Sequence, residues 1–284
     1  TQLRSIAARR EPLTAPANQT VDAAVMVTDV CGFARLTEEL NDDGPHGAET
    51  LTEVLNTCFS ALIDRVYEHG GDVIEIEGDA VIATWAAGRD CDIDEATRRA
   101  AQCAIACMDT VHGTEPLPGV EIRIRSSLSC GPMHLMHVGG NKAKWRFVVA
   151  GNAMVDVALG CGFANPGEVL VSPQAEEHVG EHKGATLSNG FRRIDQIQAF
   201  DPTDFERSHE PIEVPAKLEG DIRLNVLAAV ATRVDAGQHD WIAESRAVSV
   251  LFVNFPRLTC ETAAERLTLH QCVSDIQREI ERYD

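Results

Sequence analysis

Two stretches of this chain are versions of one another. Residues 21–30 (VDAAVMVTDV) and 247–255 (AVSVLFVNF) are apolar, β-branched runs, and each leads to a segment with helical spacing. Both segments carry a cysteine and a serine two apart, Cys58 and Ser60 in the first, Cys272 and Ser274 in the second. An internal repeat of this length means that one folding unit is followed by the opening strand and helix of a second copy. Four regions are expected: a leader at 1–20, a first domain at 21–200, a linker at 201–243, and the N-terminal part of a second domain at 244–284. The chain opens on Thr1 instead of Met, so a piece of a longer protein is expected.

Within the first copy the pattern alternates. The strand at 21–30 is followed by a helix over 49–67, with Leu51, Val54, Leu55, Cys58, Leu62 and Val66 on one face. Gly70-Gly71 ends that helix, since glycine accepts the left-handed cap conformation. Residues 72–85 (DVIEIEGDAVIATW) then read as a β-hairpin with Asp79 at its bend. A second helix (92–112) and a strand (120–127) follow, then a strand at 147–150, a helix at 152–163 and a strand at 168–171. The order βαββαβ predicts an α+β (α/β-layered) unit, a mixed sheet with helices on one face. Residues 180–243, charged and punctuated by Pro202, Pro211 and Pro215, read as loops with one apolar piece at 224–230.

Charge narrows the partners. There are 44 acidic and 25 basic residues, a formal net charge of −19, so phosphate backbones and anionic lipid are repelled. Neither nucleic acid nor a membrane is expected as a partner. No apolar run approaches the roughly 20 residues of a bilayer-spanning helix. The nine cysteines are odd in number and form no CxxC pair; free thiols in a reducing, cytoplasmic setting are expected.

Asp29 and Asp79 are the chemical focus. Each follows or interrupts an apolar strand beside a glycine, Gly32 or Gly78. If the hairpin lies beside the first strand, two carboxylates emerge at one sheet edge, a donor set suited to Mg²⁺ or Mn²⁺. The backbone N–H groups of Val30, Cys31, Gly32 and Phe33 lie next to them, a candidate phosphate seat. Taken singly, each aspartate is an ordinary turn or cap residue; the pair with matching flanks is not.

The segments TDVCGFARLTEEL, HGGDVIEIEGDAVIATW, FVVAGNAMVDVA and EVLVSP resemble, in order, the catalytic domain of class III nucleotidyl cyclases. The tandem layout resembles the soluble-type adenylyl cyclases, a first catalytic domain joined to the start of a second. The resemblance implies a ferredoxin-like core that works as a head-to-tail pair with ATP at the interface. It implies that Asp29, Asp79 and the Val30 carbonyl hold two Mg²⁺ or Mn²⁺ ions, the arrangement of two-metal in-line displacement that yields cyclic AMP and pyrophosphate. By the same resemblance Val30, Cys31, Gly32, Phe33, Ala34 and Gly78 border the nucleotide, and Arg125 stands where soluble-type enzymes carry a basic residue near the polyphosphate.

Departures from the family pattern are specific. The asparagine and arginine that act on the transition state align with Val155 and Leu159, which donate no hydrogen bonds. Asn254 stands where the first copy has Asp29, and Ala34 replaces a frequent threonine. The lysine and arginine of the bicarbonate pocket align with Glu75 and Ala158, so bicarbonate activation through that pocket is expected to be weak. These losses predict a half-site: this chain supplies metal ligands, its partner domain supplies the rest, and the fragment alone is nearly inactive. A non-catalytic regulatory module is the competing reading.

Other signals carry less. Gly70-Gly71-Asp72 lacks the residues that follow it in diguanylate cyclases. Cys130, His134 and His137 are spaced so that a strand turns them to opposite sides, with Pro132 expected to break the geometry. His69 and His112 sit at helix ends, where an imidazolium favours the carbonyl dipole.

Overall fold

Every residue from Ala23 to Met26 is fully buried or nearly so, so the strand that carries them is covered on both faces. The structure is a computed structural model, and it describes residues 13–32, 36–37, 45–88, 91–117, 119–142, 144–198, 216, 220, 253–255 and 258–282. The elements in chain order are β1 (Ala17–Cys31), α1 (Pro45–Glu68), β2 (Asp72–Glu77), β3 (Ala80–Ala86), α2 (Ile93–Val111), β4 (Thr114–Leu117) and β5 (Val120–Asn141). They continue as β6 (Lys144–Ala150), α3 (Asn152–Phe163), β7 (Val169–Val171), α4 (Pro173–Val179), β8 (His182–Thr186), β9 (Arg192–Ile197) and α5 (Ala263–Ile280).

The sheet runs β2-β3-β1-β5-β7-β9-β8, with β4 and β6 paired to β5 off that line. The first four strands are antiparallel neighbours, and β7 joins β5 in parallel. That β1-α1-β2-β3-α2-β5 core is the ferredoxin-like arrangement. Alternation along β1 sorts its side chains. Ala24, Met26 and Val30 meet Val54, Leu62 and Val66 of α1, the small residues Ala96, Ala100, Cys103 and Ala104 of α2, and Ala175 and Val179 of α4. Ala23 and Val25 face the other way, onto Ala153 and Val157 of α3. Helices therefore cover both faces, a correction to the one-sided layer expected from the element order.

The turn that leads into the hairpin is tightly built. Gly71 N–H donates to the Val66 carbonyl at 2.8 Å and Gly70 N–H to that of Tyr67 at 3.0 Å, the paired bonds of a Schellman cap, with Gly70 at φ +75°. A Cβ on Gly71 would stand 2.6 Å from the Trp85 ring. Trp85 in turn donates its indole N–H to the His69 carbonyl at 2.8 Å.

Several expectations are revised. β1 begins at Ala17, inside the stretch read as an irregular leader. β5 does not stop at residue 127 but continues for 22 residues; Gly131 takes φ +143°, a backbone state that favours glycine, and the strand runs on past Pro132. The loop reading of 180–200 is replaced by β8 and β9. The apolar piece at 224–230 and residues 247–252 of the second-copy strand lie outside the described residues, and 253–255 form no strand. The second-copy helix is present as α5, with a capping box between Thr262 and Glu265. Its Leu269 and Val273 pack with Met136, Val138 and Val148 of β5 and β6. An imidazolium is disfavoured at His69: burial lowers its pKa, outweighing the hydrogen bond to the Arg65 carbonyl. His112 is used differently from a helix-end cation: its Nδ1 accepts from the Ile124 N–H at 3.1 Å.

Candidate active site

The register of three strands assembles the site. Asp29 on β1 stands opposite Ala80 of β3 on one side and Arg125 of β5 on the other. Asp79 precedes Ala80 in the two-residue turn between β2 and β3, where Gly78 takes φ +62°, a value that suits glycine in a hairpin bend. The Val30 N–H donates to the Asp79 carbonyl at 3.0 Å. Asp29 and Asp79 thus belong to one strand end, as the sequence predicted.

Asp29 does not stand alone. Arg125 Nε donates to its Oδ2 at 2.7 Å, and the two side chains are 33% and 16% exposed, arginine first. Arg125 Nη1 reaches the Ala164 carbonyl at the C-cap of α3, 3.4 Å away. Burial works against the Arg125 charge, and the hydrogen bond and charge of Asp29 outweigh it, so its pKa is raised.

Two thiols flank these groups. Cys31 follows Val30 and is half-buried; burial raises its pKa, with Arg125 pulling the other way. Cys161 of α3 is buried, and its pKa is pushed up to about 11, first by burial and then by the nearby Asp29 charge. Sequence reading counted Cys161 only among the nine free thiols and did not bring it beside the carboxylates.

The remaining predicted residues divide. Val30 is buried, and Gly32, at φ +83°, accepts at its carbonyl from the Leu36 N–H at 3.1 Å. Phe33 and Ala34 lie outside the described residues. Val155 and Leu159 project from α3 at 54% and 50% exposure. Glu75 and Ala158 are also exposed; partial burial and then Glu77 raise the Glu75 pKa.

Among the described residues no group of three or more His, Cys, Asp or Glu side chains is placed to hold a metal ion. Two carboxylates and a carbonyl nevertheless fit Mg²⁺, which keeps waters and takes phosphate oxygens for its other positions. His134 and His137 of β5 are buried, and His134 Nδ1 shares a hydrogen bond with Thr20 Oγ1 at 3.0 Å. No helix among the described residues is long and apolar enough to cross a membrane.

Comparison with known proteins gives one family. Residues 15–191 match the adenylate and guanylate cyclase catalytic domain. Adenylate cyclase type 10 of Mus musculus is 26% identical over 273 residues, 84% of this chain and 16% of that protein. The Homo sapiens counterpart is 31% identical over 158 residues, 54% of this chain and 9% of that protein. The chain spans about a sixth or less of the length of these relatives. Among solved structures, the adenylyl cyclase CyaB from P. aeruginosa matches with a TM-score of 0.51 at 18% identity, over 64% of this chain and 97% of that one. The monomeric guanylyl cyclase domain of RhoGC from Blastocladiella emersonii matches with a TM-score of 0.51 at 15% identity, over 64% and 99%. At these identities the structures speak for the fold.

Proposed function

Because this chain belongs to the adenylate and guanylate cyclase catalytic domain family, we propose that it is the metal-supplying half of an adenylate cyclase. The reaction is attack of the ribose 3′-oxygen of ATP on the α-phosphorus, with pyrophosphate leaving. The observation that carries this reading is the convergence of Asp29 and Asp79 at one strand end, tied by the hydrogen bond from Val30 to Asp79.

Asp29, Asp79 and the Val30 carbonyl would hold the divalent ions, Mg²⁺ or Mn²⁺, which when bound favour the 3′-alkoxide and offset charge on the α-phosphate. The rest is the work of the chain itself. Asp29 near the end of β1 and Asp79 in the tight β2–β3 turn are held by the β1–β3 ladder, so their separation does not drift when substrate enters. Arg125 has N–H groups beyond those used on Asp29 and Ala164, enough to orient a triphosphate. Val155 and Leu159 leave these two positions of α3 without donors for a developing phosphorane. Their exposed apolar surface instead suits burial against a second cyclase domain, which would supply the transition-state donors, read the base and exclude water.

ATP as substrate rests on the likeness to adenylate cyclase type 10. The test is product formation from ATP and from GTP by the parent chain with both cyclase domains present. Cyclic AMP as the main product supports the proposal; cyclic GMP as the main product would replace the substrate.

A further inference from the structure

Arg125 and Asp29 meet across β1 and β5 in the direct register of an antiparallel pair, where side chains on one face are nearest neighbours. The Asp29 side chain is only 16% exposed, and a charge so placed requires a partner. The partner in hand is Nε of Arg125. The oxygen it occupies belongs to one of the two carboxylates assigned above to the divalent ions. A guanidinium and a dication cannot both lie against that carboxylate without mutual repulsion.

We propose that Arg125 is a counter-ion gate on Asp29: it holds the carboxylate while the site is empty of nucleotide, and it is transferred to the triphosphate when metal takes its place. The proposal rests on the reading of Asp29 as a metal ligand. Arginine suits this role. Its second nitrogen already bonds the Ala164 carbonyl, so the group can pivot about that anchor, and N–H groups beyond those two bonds can receive phosphate oxygens. Lysine, a single point charge, has no such second hold.

Exchange of partners couples two ligands. Metal at Asp29 frees the guanidinium for anionic oxygens, and anionic oxygens draw it off Asp29. Each therefore favours the other, beyond the attraction of metal for phosphate itself, and by linkage the effect is equal in both directions. Metal without nucleotide must instead displace Arg125 unaided. The 284-residue chain is thus expected to bind free metal more weakly than its carboxylates allow.

The experiment is a titration of Mn²⁺ alone, without nucleotide, followed by electron paramagnetic resonance of the free ion. Wild type, Arg125→Gln, Arg125→Lys and Asp29→Asn are compared, with circular dichroism to verify folding. Removing an ion pair of this exposure is expected to lower the Mn²⁺ Kd of Arg125→Gln about fivefold. Arg125→Lys, which keeps the charge and serves if the glutamine variant does not fold, is expected to lower it about twofold. Asp29→Asn is expected to abolish this binding. An Asp29-dependent Kd that is unchanged or raised in the Arg125 variants overturns the gate and leaves the metal assignment standing. Binding that persists unchanged in Asp29→Asn overturns both.

Discussion

The Val30 N–H donates to the Asp79 carbonyl at 3.0 Å. Fifty residues of sequence separate the two aspartates, yet this bond and the pairing of Asp29 with Ala80 deliver both to one end of the sheet. Strand register sets Asp29, and a tight two-residue hairpin turn sets Asp79, so substitutions of either carboxylate should change chemistry and leave the fold.

Gly71 is a strict position. A methyl there meets the Trp85 ring at 2.6 Å and Val66 at 2.9 Å, and Trp85 is locked by its hydrogen bond to His69. Gly71→Ala is expected to destabilise the chain by about 1–3 kcal/mol, the usual cost of overpacking. Chemical denaturation measures this; a change below about 0.5 kcal/mol would mean the turn relaxes freely.

His69 makes stability depend on pH. Its pKa is lowered, chiefly by burial, so the folded state binds fewer protons than the unfolded state below the ordinary histidine range. Its stabilising contribution is present above about pH 6.5 and is lost as pH falls through the lowered value. Wild type should lose melting temperature between pH 7 and pH 5, and His69→Gln should flatten part of that slope. Identical slopes would remove His69 from the account.

The exposed apolar face of α3 is expected to be an interface. Val155→Lys with Leu159→Lys should change stability by no more than about 0.5 kcal/mol, as for other exposed positions, while weakening association with a separately produced second cyclase domain. Analytical ultracentrifugation of the mixture reads this. Undiminished association would place the partner elsewhere.

Much of this was legible in the sequence because short-range rules governed it. Alternation in 72–85, a glycine pair after a helical stripe, and glycines beside both aspartates specify a hairpin and its bend without tertiary information. What was missed depended on long range or on weak local signals. The pairing of Arg125 with Asp29 spans 96 positions and follows only from the register of β1 on β5. β8 and β9 (HKGAT and RRIDQI) are short polar strands, β8 at the sheet edge and β9 beside it, with Ile194 the deeply buried residue of β9, so no alternation betrayed them. β5 survives Pro132 through the φ of Gly131, which composition does not reveal. The placement of α3 on the far face was implicit in the unbroken burial of residues 23–26 along β1.

The isolated 284-residue chain is expected to form little cyclic AMP, because Val155 and Leu159 offer no donors where the family places its transition-state groups. Robust turnover of ATP with Mn²⁺ by this chain alone would show that the donors come from within it.

The most direct measurement is the rate of cyclic AMP formation from ATP by this chain paired with a separately produced second cyclase domain, with Asp29→Asn and Asp79→Asn compared with wild type at saturating Mn²⁺. Each substitution is predicted to lower kcat at least about a hundredfold, near 3 kcal/mol of transition-state stabilisation, with the melting temperature preserved. Rates within a few-fold of wild type in either variant would contradict the account.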